Sequence, residues 1–246
     1  MTSAPHRKNN QEGRRVWATV LTIAILAALV LLAWANRKLH YPYLDVEILD
    51  ALRTRDAAVM FLIAPIAALL AWILLKINDG TSSVAVMLPF VLGVYTLGVG
   101  FGMHEPANAL RRVVETPTPQ GVASIADSLE FFDDALGHWV FFAGFAFFSV
   151  AVCVSELRNP LKRPLTGIPS WVPVAAATAL AAAIYGDMAD EKTKLDIAVI
   201  LGTAFFLAAL WWLYGKTPFT RLPATTACVL GYVLGAAATL VVWLLR

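Results

Sequence analysis

Seven apolar stretches, each close to twenty residues long, leave this chain few ways to fold. They run over about 16–36, 57–75, 83–103, 135–155, 171–186, 195–214 and 223–245. Each is near the length that crosses a hydrocarbon core about 30 Å thick. Lipid offers no water to the backbone, so each stretch is expected to satisfy its own N–H and C=O groups as an α-helix. The fold class that follows is all-α: a polytopic integral membrane bundle of seven transmembrane helices, forming a single domain over 16–246. The polar residues 1–15 ahead of it read as a disordered cytoplasmic tail whose basic residues anchor the N-terminus. No A-x-A-like cleavage site follows the first stretch, which reads as a retained span. Charged residues make up 15% of the 246, well below the roughly 25% of soluble domains. The fifth stretch is the shortest and is rich in alanine, from Ala175 to Ala183. Small side chains allow close helix contact, so it is expected at the bundle centre.

Charge sets the expected orientation. If the N-terminus is inside, that side holds ten Lys and Arg residues against three acids, and the other side holds nine against fourteen. The Lys/Arg numbers are nearly even, and the short basic loop R-N-P-L-K-R-P decides for N-terminus inside and C-terminus outside. The expected location is the cytoplasmic membrane of a cell. A net charge of +2 excludes a nucleic-acid partner, which leaves membrane lipids and a lipid-like substrate as the expected partners. Cys153 and Cys228 lie inside apolar stretches without CxxC spacing and read as core or lipid-facing residues.

With this orientation the loops 37–56, 104–134 and 187–194 share the outer face. In the first, Leu44, Ile48, Leu49 and Leu52 have the spacing of an amphipathic interfacial helix, while His40 and Tyr41 read as interfacial aromatics. In the second, T-P-T-P-Q-G breaks the chain, and Ser124 to Asp134 reads as a helix running into the fourth span. Asp187, Asp190 and Glu191 read as a solvated loop.

The chemistry concentrates in G-M-H-E-P-A-N and E-F-F-D-D-A-L-G-H-W. Residues four apart share a helix face, which groups Glu130, Asp134 and His138 in one stripe. His104 and Glu105 end the neighbouring helix. Two imidazoles with a carboxylate form a mixed N/O set that suits a divalent metal, zinc first, with His104, Asp134 and His138 as ligands. Glu105 and Asp134 are then the candidate catalytic carboxylates, Glu105 acting as base on metal-bound water. A metal-free alternative uses a His–carboxylate pair to shuttle protons in hydrolysis or transport. Asp133 reads as a helix cap and dipole partner.

Other classes fail on particular residues. A retinal protein needs a lysine in the last helix, and 223–245 has none. Gly-rich phosphate loops, GxSxG and HExxH are absent.

The segment D-D-A-L-G-H-W-V-F-F-A-G, Asp133 to Gly144, resembles the D-x-x-x-H segment of VanZ-like bacterial membrane proteins, in which the pair opens a transmembrane helix. L-D-I-A-V-I-L-G, Leu195 to Gly202, is similar to their second signature, an Asp leading into a helix with a downstream Gly. That resemblance implies a cell-envelope role. His104, Asp134 and His138 also partly fill the pattern of seven-helix zinc hydrolases such as alkaline ceramidases and adiponectin-receptor-like proteins, whose final helix carries an H-x-x-x-H pair that 223–245 lacks. The expected function is a metal-assisted hydrolase of a lipid or lipid-linked substrate. The alternative is a membrane transporter or envelope scaffold that uses the same polar cluster for proton or partner binding.

Overall fold

A computed structural model of the chain describes the backbone of residues 4–38, 47–49, 52–114, 123–188 and 195–245. Seven long helices account for nearly all of it. They are α1 (Ala4–Lys38), α2 (54–77), α3 (Val84–Val114), α4 (123–158), α5 (Val172–Met188), α6 (Leu195–Leu213) and α7 (Pro223–Leu245). Each contains a span long and apolar enough to cross a membrane. The spans lie within a few residues of the expected ones except at the fourth, which starts ten residues earlier, at Ile125. The protein is an all-α, seven-helix integral membrane bundle.

Two helices change winding partway. In α2 the segment Val59–Ile63 is π-helical, and in α4 the segment Phe131–Gly137 is. A π-helix bonds i to i+5 instead of i+4, which rotates every side chain beyond it relative to an ideal α-helix.

The closest interhelical packing joins α3 to α4 and α5 to α7. α1 leans on α5 and α2, and α6 bridges α4 and α7. Glycines allow the α3–α4 approach. A Cβ on Gly100 would stand 2.8 Å from the backbone N and Cα of Phe141, and one on Gly144 would stand 2.7 Å from the backbone N of Leu97. Gly93 meets Phe148 N in the same way. The pairs Gly93/Gly100 and Gly137/Gly144 each repeat at seven residues, two helical turns, so both stay on the contact face.

The bundle centre is α4, not the alanine-rich α5. Within the most apolar window of each span, 56% of α4 is buried against 28% of α5. Alanine allows close approach, but α5 packs mainly on two helices, α1 and α7, the latter at Gly231 and Gly235. Helix α4 is contacted by α2, α3, α6 and α7 and has few faces left for lipid. At its middle, Tyr232 of α7 is fully buried; its hydroxyl lies 2.6 Å from Ser149 Oγ and donates to the Phe145 carbonyl at 3.3 Å.

The residues expected as a disordered tail extend the first helix, which begins at Ala4. Extending an existing helix costs little per residue, and Glu12 and Arg15 find partners there. Arg15 donates to Asn78 Oδ1 at 3.0 Å and to the carbonyls of Asn159 and Pro160, while Glu12 accepts from Lys162 N at 2.8 Å. The basic loop that decided the orientation is therefore pinned to α1.

At the same end of the bundle, Glu156 of α4 is buried over the start of α7. Its two oxygens accept from Ala224 N at 3.0 Å and Thr225 N at 2.7 Å. Pro223 occupies the first helical position, where a missing N–H costs nothing. Glu156→Ala is expected to destabilise the protein by about 1–3 kcal/mol, the range for losing a cap and leaving buried donors unmet. Thermal unfolding in detergent would measure it; an unchanged midpoint would refute the capping role.

The expected interfacial helix over Leu44 to Leu52 does not form where the backbone is described. Glu47–Leu49 and Leu52–Arg53 pair as two short antiparallel strands, an extended pairing that a helical stripe of leucines does not anticipate. Leu44, His40, Tyr41, the T-P-T-P-Q-G break, Asp190 and Glu191 lie outside the described residues.

Candidate functional site

The polar groups converge where α3 ends and where α4 and α6 enter the bundle. Their meeting begins with the Gly137 backbone. A Cβ there would stand 2.6 Å from the Phe132 carbonyl in the π-wound turn and 3.1 Å from His104 Cβ on α3. Glycine alone fits both the wide turn and the neighbouring helix, and its next residue, His138, is held beside His104. The two imidazole centroids lie 4.8 Å apart with the rings tilted by 58°.

Each imidazole has its own carboxylate. His104 Nδ1 lies 2.6 Å from Asp133 Oδ1 and 3.1 Å from the Asp133 carbonyl oxygen. His138 Nδ1 lies 3.6 Å from Asp196 Oδ2, which is ion-pair range and longer than a hydrogen bond. Asp133 also has a cationic neighbour, Arg111, at 3.8 Å from Oδ2. Arg111 lies seven residues beyond His104 on α3, two turns along the same face. All four members are closed off: His104 is 7% exposed, His138 5%, Asp133 4% and Asp196 fully buried. The Phe142 ring meets His138 edge-on at 6.1 Å and forms an apolar floor.

A carboxylate at Nδ1 holds the imidazole proton there and makes Nε2 the basic nitrogen. His104 is held in this way, while His138 has its carboxylate at ion-pair range; two such imidazoles side by side can pass a proton between them, or present two nitrogens to one substrate or ion. Burial strengthens both interactions, because there is little solvent to screen them.

The structure brings the expected pair His104 and His138 together and sets beside them two carboxylates that were not among the expected site residues, Asp133 and Asp196. The side chain of Asp134 lies outside those described. Asp133, read as a cap, sits ten residues into α4 and packs against His104. The segment that carries Asp133 is π-wound, a departure from the regular α-helical spacing on which the stripe of Glu130, Asp134 and His138 is drawn. Glu105 is buried.

Asp196 is the partner that sequence reasoning missed. One visible signal was its place in L-D-I-A-V-I-L-G, at the first turn of an otherwise apolar helix. Among the described residues, no group of three or more His, Cys, Asp or Glu side chains is arranged to hold a metal ion. Pro106, two residues past His104, removes the amide donor that an unbroken helix would give the Gly102 carbonyl. The helix is therefore loosened at the site. Compared with protein-family models, curated proteins and solved structures, the chain matches none.

Proposed function

We propose that this membrane protein is an acid–base hydrolase of a lipid or lipid-linked substrate, with His104 and His138 as paired proton carriers. The observation that carries this reading is the contact of two buried imidazoles, each with a carboxylate at Nδ1. One imidazole takes a proton from water as its oxygen bonds to the substrate's carbonyl carbon or phosphorus. The other gives a proton to the departing alkoxide as the ester bond breaks. The proton then passes between the rings, which restores the starting state. Asp133 and Asp196 hold the rings and stabilise the imidazolium in turn, the role a carboxylate plays beside a catalytic histidine.

A metal-assisted version uses His104 and His138 as nitrogen ligands of a zinc or other divalent ion. The acid–base version is favoured because each imidazole already has a carboxylate within ion-pair range of Nδ1, which leaves Nε2 for proton transfer. The test is hydrolysis of a panel of glycerolipids and lipid phosphates by detergent-purified protein, with and without a chelator. Turnover that survives chelation supports the acid–base reading. Turnover that needs a restored stoichiometric metal replaces it with the metal version, and no turnover across the panel counts against hydrolysis.

One observation favours proton-coupled transport as the second reading. No member of the quartet is more than 7% exposed, and a sealed proton site suits a transporter that opens in turn to each side. Substrate flux into proteoliposomes driven by a pH gradient, without hydrolysis, would select it.

The asymmetry of short basic loops supports placing the site at the outer face of the cell membrane, with the N-terminus inside. A cysteine at Ser124, in a protein lacking Cys153 and Cys228, is expected to react with a membrane-impermeant maleimide in intact cells. Labelling only after permeabilisation would invert the topology.

A further inference from the structure

Below the histidine pair, a groove of about 430 Å³ opens between α3, α4 and α6. That volume falls in the range of ligand pockets, about 300–1,000 Å³. Its walls are apolar: Leu88 and Leu92 on α3, Phe147 on α4 and Phe206 on α6 line it and are themselves part-exposed. All belong to the membrane-crossing spans, so the groove opens sideways into hydrocarbon.

Its position relative to the site is specific. Stepping by four down α4 from His138 leads through Phe142 to Ala146 and Val150, both of which line the groove. On α6, Val199 and Thr203 stand three and seven residues below Asp196 on the same face, and both line it too. At 1.5 Å per residue the α6 lining therefore runs from ~4.5 Å to ~15 Å below the Asp196 level. On α4 and α3 the lining lies deeper, ~12–18 Å below His138 (Ala146 to Val150) and ~18–24 Å below His104 (Leu92 to Leu88), so the groove reaches past the middle of a core about 30 Å thick. Gly202 lies in the middle of this wall, where an added Cβ would meet nothing within 4 Å. The missing side chain leaves room that no neighbour fills.

We infer that this groove holds one acyl chain of a membrane glycerolipid and thereby brings the lipid's head-group linkage up to the His104–His138 pair. The inference rests on the hydrolase reading for what happens at the head group and names the substrate's apolar end. The surrounding bilayer supplies acyl chains at the groove mouth without desolvation cost. A chain extended from the groove toward the site ends its apolar part near Val199 and Phe142, one turn short of the two carboxylate–imidazole contacts.

The test uses full-length protein in phosphatidylcholine–phosphatidylglycerol vesicles doped with a phosphatidylcholine carrying a mid-chain diazirine. After irradiation, the adducts are mapped by mass spectrometry. Adducts at Leu92, Phe147 and Phe206 are expected to exceed, several-fold, those at comparably exposed lipid-facing residues such as Leu21 on α1 and Leu234 on α7. Gly202→Trp fills the groove into open space and is expected to abolish the excess while leaving Leu21 and Leu234 unchanged; Gly202→Leu should reduce it. Even labelling of all exposed positions in the wild type would overturn the inference without recourse to any variant, as would an excess that survives Gly202→Trp. Stronger capture of a polyprenyl phosphate probe than of the acyl probe would also overturn it. His138→Asn and Asp196→Asn should keep the groove adducts. Adducts without lipid turnover would leave the groove standing and remove the hydrolase, whereas turnover with even labelling would do the reverse.

Discussion

His104→Asn and His138→Asn are each expected to reduce turnover of a lipid substrate by roughly 10²–10⁴-fold, the range that a positioned general acid or base contributes. Asparagine is the informative replacement. Its amide can still donate where Nδ1 stood, so the buried carboxylates Asp133 and Asp196 keep a polar neighbour and the helices keep their spacing. Alanine would mix lost chemistry with lost stability, because withdrawing a partner from a buried charge is destabilising in itself. The rings lie 4.8 Å apart and share one proton cycle, so the double variant should be little worse than either single one. Fully multiplicative losses would mean that the histidines act independently. Asp133→Asn and Asp196→Asn should act through the rings they hold, lowering kcat with little change in KM, and Asp196→Glu should recover part of the loss. A fall in KM-determined binding alone would assign the aspartates to substrate contact.

The second large effect concerns glycine. Gly100→Ala and Gly137→Ala are each expected to destabilise the protein by about 1–3 kcal/mol, the usual cost of forcing extra atoms into a packed interior. At both positions the added carbon would meet backbone: Phe141 N and Cα at 2.8 Å for Gly100, and the Phe132 carbonyl at 2.6 Å for Gly137. Backbone cannot swing aside as a side-chain tip can. Gly98, two residues from Gly100, meets nothing within 4 Å. There alanine should be neutral or stabilising by up to about 1 kcal/mol, since glycine is a poorer helix former. Unfolding midpoints for the three variants in one detergent would decide. Equal effects at 98 and 100 would show that helix propensity, not the α3–α4 contact, governs this stretch. Gly137→Ala carries a further consequence, because its Cβ also reaches His104 Cβ at 3.1 Å. Turnover should fall further in that variant than in Gly100→Ala at matched stability.

The legible and illegible parts of the fold divide along physical lines. Span number and helix type follow from apolar length, because lipid forces each backbone segment to satisfy itself; the seven spans were therefore readable. The convergence of His104 and His138 was also readable, as both stand near the ends of expected spans that reach the same end of the bundle. Which helix occupies the centre was not. Alanine content reports how close a neighbour can come, not how many neighbours there are; α4 packs on four other helices, whereas α5 packs mainly on two.

The carboxylate partners show the limit most sharply. Helical spacing selected Asp134 because four residues make a face in an α-helix. In Phe131–Gly137 the winding is π, and Asp133 is the residue that reaches His104. Nothing local in F-F-D-D-A-L-G announces that winding. Asp196 is separated from His138 by 58 positions and one whole helix, and periodicity along a chain cannot measure such a distance. By itself the sequence determined a membrane bundle of seven helices and the two histidines of its polar centre, because hydropathy and span length are properties of the chain. The pairing of each histidine with its own aspartate was decided only by the tertiary structure, because it depends on winding and on contacts between helices that the chain order keeps apart.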